Sequence, residues 1–209
     1  MVTLNETVAN NAILALWEIT ETKEELISLL NNNSVITAKI EQFGSEKRQL
    51  EFLATRTLLN EVLGQNKTIA YEANGQPYLT DHSYAISITH TGKYVAILLH
   101  PTSPVGIDIE KISEKVERVK TKFLSEFELS FIESRSEKTQ LALMWSAKEA
   151  LYKIIGKENV DFIKDLHIDV FHPYLEGTME AQETCTPEQI KYTVYYRVFP
   201  EFVLVWIVK

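Results

Sequence analysis

Residues 105–110 read Val-Gly-Ile-Asp-Ile-Glu, and residues 145–153 read Trp-Ser-Ala-Lys-Glu-Ala-Leu-Tyr-Lys. The first stretch is a β-branched run carrying two acids. On a strand, Asp108 and Glu110 stand at i and i+2 and point to the same face. In the second stretch Glu149 and Lys153 stand at i and i+4, one above the other on a helix face. A strand and a helix can therefore bring three carboxylates and one ammonium to one place. Oxygen donors of this kind suit Mg²⁺, which takes few carboxylates and completes its shell with water and phosphate oxygens. Mn²⁺ can substitute in the same site. Each pattern alone has a plainer reading. Asp-x-Glu at a strand end is a solvated rim, and Glu-to-Lys at i, i+4 is a surface pair worth about 0.2–0.5 kcal/mol. Their joint occurrence is what points to a site.

Outward from these segments the chain alternates strands and helices. Residues 12–20 read as a buried strand. Thr22-x-x-Glu25 is a capping box opening a short helix that ends near Asn31. Ser45 caps a longer helix through Leu63, with Leu50, Leu53, Leu58 and Val62 at helical spacing and Gly64 as its stop. Residues 73–77, Ala-Asn-Gly-Gln-Pro, are turn chemistry between short strands at 69–72 and 78–79. Strands follow at 84–89 and 94–99, joined by Thr91-Gly92-Lys93. After the break at 101–104 and the strand at 105–110, residues 113–122 read as a charged helix. Ser125-x-x-Glu128 is a second capping box. Residues 139–155 form a helix ended by Gly156, and strands are expected at 166–171, 191–198 and 202–208. The reading is an α+β chain of two similar α/β halves, 1–103 and 104–209. The seam between them makes a cleft suited to a ligand.

The composition narrows the function. The chain has 209 residues, 45% hydrophobic and 10% aromatic, enough for a substantial core. The net charge of −8 argues against general nucleic-acid binding, which needs Lys and Arg to neutralise phosphates. Cys185 is the one cysteine, so no intrachain disulfide forms and a reducing compartment fits. The first residues lack a signal-peptide pattern, and the apolar runs are far shorter than a bilayer span. A soluble, cytoplasmic, monomeric protein is expected.

The two opening segments resemble the signatures (V/I)-G-(I/V)-D-(I/V)-E and W-x-x-K-E-(A/S)-x-x-K of the Sfp-type 4′-phosphopantetheinyl transferases, without a mismatch. Residues 47–56 (Lys-Arg-Gln-Leu-Glu-Phe-Leu-Ala-Thr-Arg) resemble the family's K-R-x-x-E-F-x-x-x-R, and residues 87–91 (Ser-Ile-Thr-His-Thr) its N-x-S-H-S segment. The resemblance runs from about Lys47 to the C-terminus. It implies a pseudo-twofold arrangement of the halves with coenzyme A between them. It also implies transfer of the phosphopantetheine arm of coenzyme A to a serine of an apo-acyl or peptidyl carrier protein, releasing adenosine 3′,5′-bisphosphate. Asp108, Glu110 and Glu149 would hold the metal. Lys153 would stabilise or protonate the leaving group. Glu149 is either the serine's base or only a ligand, with a metal-held hydroxide as base in the second case.

Arg48 and Arg56 sit near two helical turns apart and can share a face as an anion clamp. The resemblance assigns them to the nucleotide end, and assigns phosphate contacts to His90 and the Thr89 hydroxyl. Gln76 stands where family members often have Lys, so nucleotide affinity is weaker there or is supplied by Lys93. Removing Asp108 or Glu149 is expected to abolish transfer and spare the fold. Lys148 reads equally as a phosphate contact or a solvated helix residue, and Trp145 as a core or rim aromatic. The carrier is expected on Lys111, Lys115, Arg118, Lys120 and Lys122, with Phe123 and Leu124 as apolar anchor. The competing readings are a non-catalytic module binding coenzyme A or a carrier, and a Mg²⁺-dependent phosphohydrolase.

Overall fold

A computed structural model describes residues 2–209. In chain order its elements are β1 (Val2–Thr7), β2 (Ile13–Glu18), α1 (Lys23–Leu29), α2 (Ser34–Ile40), α3 (Glu46–Leu63), β3 (Ile69–Tyr71), β4 (Pro77–Leu79), β5 (Ala85–Thr91), β6 (Tyr94–His100), β7 (Val105–Lys111), α4 (Glu114–Val119), α5 (Glu126–Ser130), α6 (Glu137–Ile155), β8 (Leu166–Ile168), β9 (Glu176–Glu183), β10 (Lys191–Val198) and β11 (Phe202–Val208). One sheet runs β1-β2-β6-β5, a second runs β7-β11-β10-β9-β8, and β3-β4 is a separate hairpin. The strand pairs are antiparallel. The chain is thus a mixed α and β fold of helices on antiparallel sheets.

The cores follow from strand alternation. On β2, Ala15 and Trp17 face α1 and α3, whereas Leu14 and Leu16 face the other sheet. On β11, Val203, Val205 and Ile207 pack on α6, whereas Leu204, Trp206 and Val208 meet β2 and β6. Strands buried on both faces read as continuous apolar runs, which is why β2, β6, β7 and β11 were legible. The layers run helix, sheet, sheet, helix.

The helix ends obey local rules. Thr22 and Ser125 form complete capping boxes, and Ser45 Oγ accepts from the Arg48 N–H. Gly64 and Gly156 close α3 and α6 in the left-handed region, at φ 62° and 64°. The connection after β6 is held by His100. Its Nδ1 accepts from the N–H of Thr102 and Ser103, at 3.1 and 2.6 Å, while Nε2 lies 2.8 Å from Asn10 O.

Three elements depart from expectation. β1 and β9 were not foreseen as strands, and α2 not as a helix. β9 (Glu-Gly-Thr-Met-Glu-Ala-Gln-Glu) has no apolar run; pairing with β10 along seven residues makes it a strand. α2 is β-branched but is nucleated by Asn33, whose Oδ1 accepts from Val35 and Ile36 N–H.

Gly106 lets β7 and α6 approach closely. A Cβ there would lie 2.2 Å from Ala150 O and 3.3 Å from Ile154 Cβ. The backbone oxygen cannot yield as a flexible side chain would. Gly106→Ala is expected to push β7 from α6 and cost about 1–3 kcal/mol of stability, as overpacking does. Urea denaturation reads this directly. A change under about 0.5 kcal/mol would show the contact to be compliant.

Candidate active site

β7 and α6 carry the acidic cluster. Asp108, buried on β7, accepts at both oxygens. Thr89 Oγ1 and Lys153 Nζ donate to Oδ1 at 3.0 and 2.8 Å, and Ser146 Oγ donates to Oδ2 at 2.9 Å. Lys153 Nζ also donates to Ile107 O at 2.8 Å. Glu110 Oε1 accepts from the Lys111 N–H. Burial, joined by the Asp108 charge, raises the Glu110 carboxyl above its ordinary range. Burial pushes Glu149 up to about 7, with Asp108 and Glu110 adding to the rise and Lys153 opposing it. The three carboxylates share one electrostatic neighbourhood. Among the described residues, none of the groupings of His, Cys, Asp and Glu forms a ready metal cage.

Beside the cluster lies a cavity of about 500 Å³, between α3, β4 and β5 on one side and α6 on the other. Arg48, Arg56, Gln76, His90 and Lys153 line it, as do Phe52, Tyr71 and Tyr152. Of the residues singled out from the sequence, these five meet at the cavity. Asp108, Glu110, Glu149 and Thr89 lie outside its wall.

The two arginines do not share partners. The Arg48 guanidinium lies 3.1 Å from His90 Nε2, and Arg48 NH1 is 3.6 Å from Glu51. Arg56 is buried, its guanidinium 3.3 Å over the Phe52 ring and donating to Phe52 O. Burial works against its charge, and Tyr71 supports it.

Thr89 has a different place from the one its resemblance implies. Its hydroxyl donates to Asp108 and accepts from the Ile109 N–H at 3.2 Å, and Ser87 Oγ accepts from the Ile107 N–H at 3.1 Å. β5 and β7 are edges of different sheets, so these hydroxyls satisfy edge N–H groups that strand pairing leaves open. Gln76 sits at the end of α6: its Nε2 is 3.5 Å from Lys153 O, and Asn74 Nδ2 donates to Gly156 O at 2.9 Å. The β3–β4 turn thereby meets free carbonyls at the helix C-terminus.

Two expectations are corrected. Phe123 and Leu124 are 1% and 2% exposed and belong to the core, so they offer no anchor to a partner; Phe127, 60% exposed, is the apolar residue at that surface. Lys148 is neither solvated nor at the cavity: it is fully buried beside Glu128. Trp145 is an aromatic of the core margin, edge-on to Phe123 with centroids 5.0 Å apart. One residue of the cavity wall that the sequence reading did not single out is Glu51, 4% exposed. Its signal was its position three and four residues after Arg48 and Lys47.

Residues 104–202 match the 4′-phosphopantetheinyl transferase superfamily. The second half of the chain, which carries the two signatures quoted above, is thus similar to that superfamily. The chain is similar to the 4′-phosphopantetheinyl transferase gsp of Aneurinibacillus migulanus, 30% identical over 112 residues covering 51% of this chain and 46% of that protein. It is also similar to the 4′-phosphopantetheinyl transferase psf-1 of Bacillus pumilus, 32% identical over 120 residues covering 50% and 51%. The matched stretch spans about half the length of each relative.

Proposed function

We propose that the protein transfers the 4′-phosphopantetheine group from coenzyme A to a serine of an apo-carrier protein. The supporting observation is Asp108, Glu149 and Lys153 gathered beside a cavity that carries Arg48, Arg56 and His90. The serine oxygen attacks the β-phosphorus, and the bond from that phosphorus to the bridging oxygen of the α-phosphate breaks. Adenosine 3′,5′-bisphosphate leaves. Arg48 and His90 bind phosphate at one end of the cavity. Lys153, half-buried, stands where it can stabilise or protonate the leaving oxygen. Glu149, with a proton affinity near neutrality, is suited to accept the serine proton.

The donor set fits a hard divalent cation. The charge of Asp108 raises the proton affinity of Glu110 and Glu149, and positive charge relieves such crowding. Asp108, Glu110 and Glu149 would hold Mg²⁺ or Mn²⁺, which when bound supplies charge neutralisation at the pyrophosphate. The long helix beside each sheet, α3 and α6, supports two halves divided near residues 103 and 104 in a pseudo-twofold relation. Lys111, Lys115 and Lys122 leave a basic surface after β7 for an acidic carrier of fatty-acid, polyketide or peptide synthesis. A cytoplasmic monomer belongs to this reading. Among the described residues, no helix is long and apolar enough to cross a membrane.

Intact mass of an apo-carrier protein incubated with coenzyme A and Mg²⁺ tests the function. A gain of the phosphopantetheine mass is expected. Bisphosphate release without a gain would mean hydrolysis, and neither product would mean a binding module. Arg48→Ala and Arg56→Ala are expected to weaken coenzyme A by about tenfold more than 3′-dephospho-coenzyme A, since a charge-assisted phosphate contact is worth roughly 1.5–3 kcal/mol. Calorimetric titration of both ligands measures the difference. Equal losses would remove the arginines from the 3′-phosphate.

A further inference from the structure

Glu51 presents a buried carboxylate to the cavity with no hydrogen bond to either oxygen among the described residues. Three cationic or protonatable groups surround it without bonding geometry. His90 Nδ1 is 3.3 Å and Lys47 Nζ 3.5 Å from Oε1, and Arg48 NH1 is 3.6 Å from Oε2. A buried acid left this way is costly unless another state of the protein uses it.

His90 connects the group. Its Nε2 lies 3.1 Å from Arg48 NH1. A guanidinium N–H can only donate, so Nε2 accepts, and the ring of the ligand-free protein carries its proton on Nδ1, toward Glu51. The charged groups facing His90 are Glu51, Arg48 and Lys47 on α3 and Lys153 on α6. Burial, then Arg48, Lys153 and Lys47, lower the proton affinity of His90, and Glu51 alone opposes them. A phosphate entering the cavity reverses that balance. It draws Arg48 to its own oxygens, frees Nε2 and offsets the three cations.

We propose that Glu51 is a positioning residue for the phosphate end of the cavity, holding His90 so that the imidazole takes up one proton at Nε2 as phosphate displaces Arg48 from it. The proton comes from solvent. The imidazolium then donates from Nε2 to the phosphate and from Nδ1 to Glu51. Contacts that are long in the free protein tighten in the complex. This inference rests on coenzyme A being the ligand.

The test has two arms. In the ligand-free protein, imidazole ¹⁵N shifts of His90 are expected to show a proton on Nδ1 and a bare Nε2. The opposite tautomer overturns the proposal without reference to any ligand. Calorimetric titration of coenzyme A at pH 7 in two buffers of different ionisation enthalpy is expected to show proton uptake approaching one per ligand. Glu51→Gln keeps an acceptor but removes the charge. It should abolish most of the uptake and weaken binding about tenfold, the scale of one unit of lost charge support. In a His90→Asn background, Glu51→Gln should cause no further loss. Equal weakening in both backgrounds would mean a merely structural residue, and coenzyme A binding without proton uptake would overturn the proposal while leaving the function standing. Failure of coenzyme A to bind wild-type protein counts against the function, and the tautomer then decides for or against Glu51.

Discussion

Lys148→Met will lower the unfolding free energy by about 3–5 kcal/mol, the scale for removing one partner of a buried ion pair. Lys148 has no solvent exposure, and all three of its protons are placed. Nζ donates to Phe123 O at 2.7 Å, to Glu128 at 2.8 Å and to Phe162 O at 2.8 Å. Glu128 is 1% exposed and also accepts from Ser125 and from the Ile168 N–H at 3.0 Å. One ion pair therefore joins α5, α6, the loop at Phe162 and β8. Desolvation lowers the proton affinity of Lys148, with Glu128 opposing. Met fills the aliphatic volume but strands the carboxylate and two carbonyls. Adding Glu128→Gln to Lys148→Met will recover part of the loss, because the amide removes the buried charge; its single oxygen keeps the acceptor for only one of Ser125 and Ile168, which limits the recovery. Urea denaturation of the single and double variants gives both numbers. A single variant within about 1 kcal/mol of wild type would show that water reaches the pair.

Glu149→Gln will reduce phosphopantetheine transfer by on the order of 10²-fold or more, as loss of a group that stabilises or deprotonates in the transition state does. It will also make the metal-free protein more stable at neutral pH. Glu149 is held by charge and burial, and among the described residues no hydrogen bond favours its ionised form. Its folded pKa, about 7, lies above the ordinary value of 4.5. Such a group favours folding fully below its ordinary value and loses that contribution as pH rises through about 7. Each unit is worth about 1.4 kcal/mol, and partial solvent access reduces the total, so the variant's advantage should grow to about 1–2 kcal/mol between pH 5 and pH 8. Melting curves across that range, without added metal, measure it. A pH-independent difference would remove Glu149 from the acidic cluster. Mg²⁺ should raise the melting temperature of wild type more than that of the variant. Asp108 is the poorer site for this experiment. Both its oxygens accept hydrogen bonds and it pairs with Lys153, so Asp108→Ala will lose stability as well as activity, contrary to the expectation from sequence.

Several side chains show where local reading runs out. The capping boxes at Thr22 and Ser125 and the stops at Gly64 and Gly156 were legible because a helix end is decided within about four residues. The polar strand β9 was not, because its pairing with β10 lies in another part of the chain. Lys148 and Gln140 carry the same polar label as surface residues of α6, yet both are fully buried. Only the approach of α5, β8 and the loop at 162 makes Lys148 an interior residue. Thr89 reads as a phosphate contact until two sheet edges meet and use its hydroxyl, with that of Ser87, between them. Gln76 reads as a substitute for a phosphate-binding lysine until the β3–β4 turn lands on the end of α6.

By itself the sequence determined the strand that presents Asp108 and Glu110, the helix that presents Glu149 and Lys153, and the acidic character of the site they share. Periods of two and of 3.6 residues are properties of the backbone and need no partner. The tertiary structure decided which acids lie behind the cavity and which cations line it, that Glu51 lies among those cations without a hydrogen bond from the described residues, and that Phe123 and Leu124 face inward. Burial and the fields that shift a proton affinity come from atoms brought together across the whole chain, which no short spacing records.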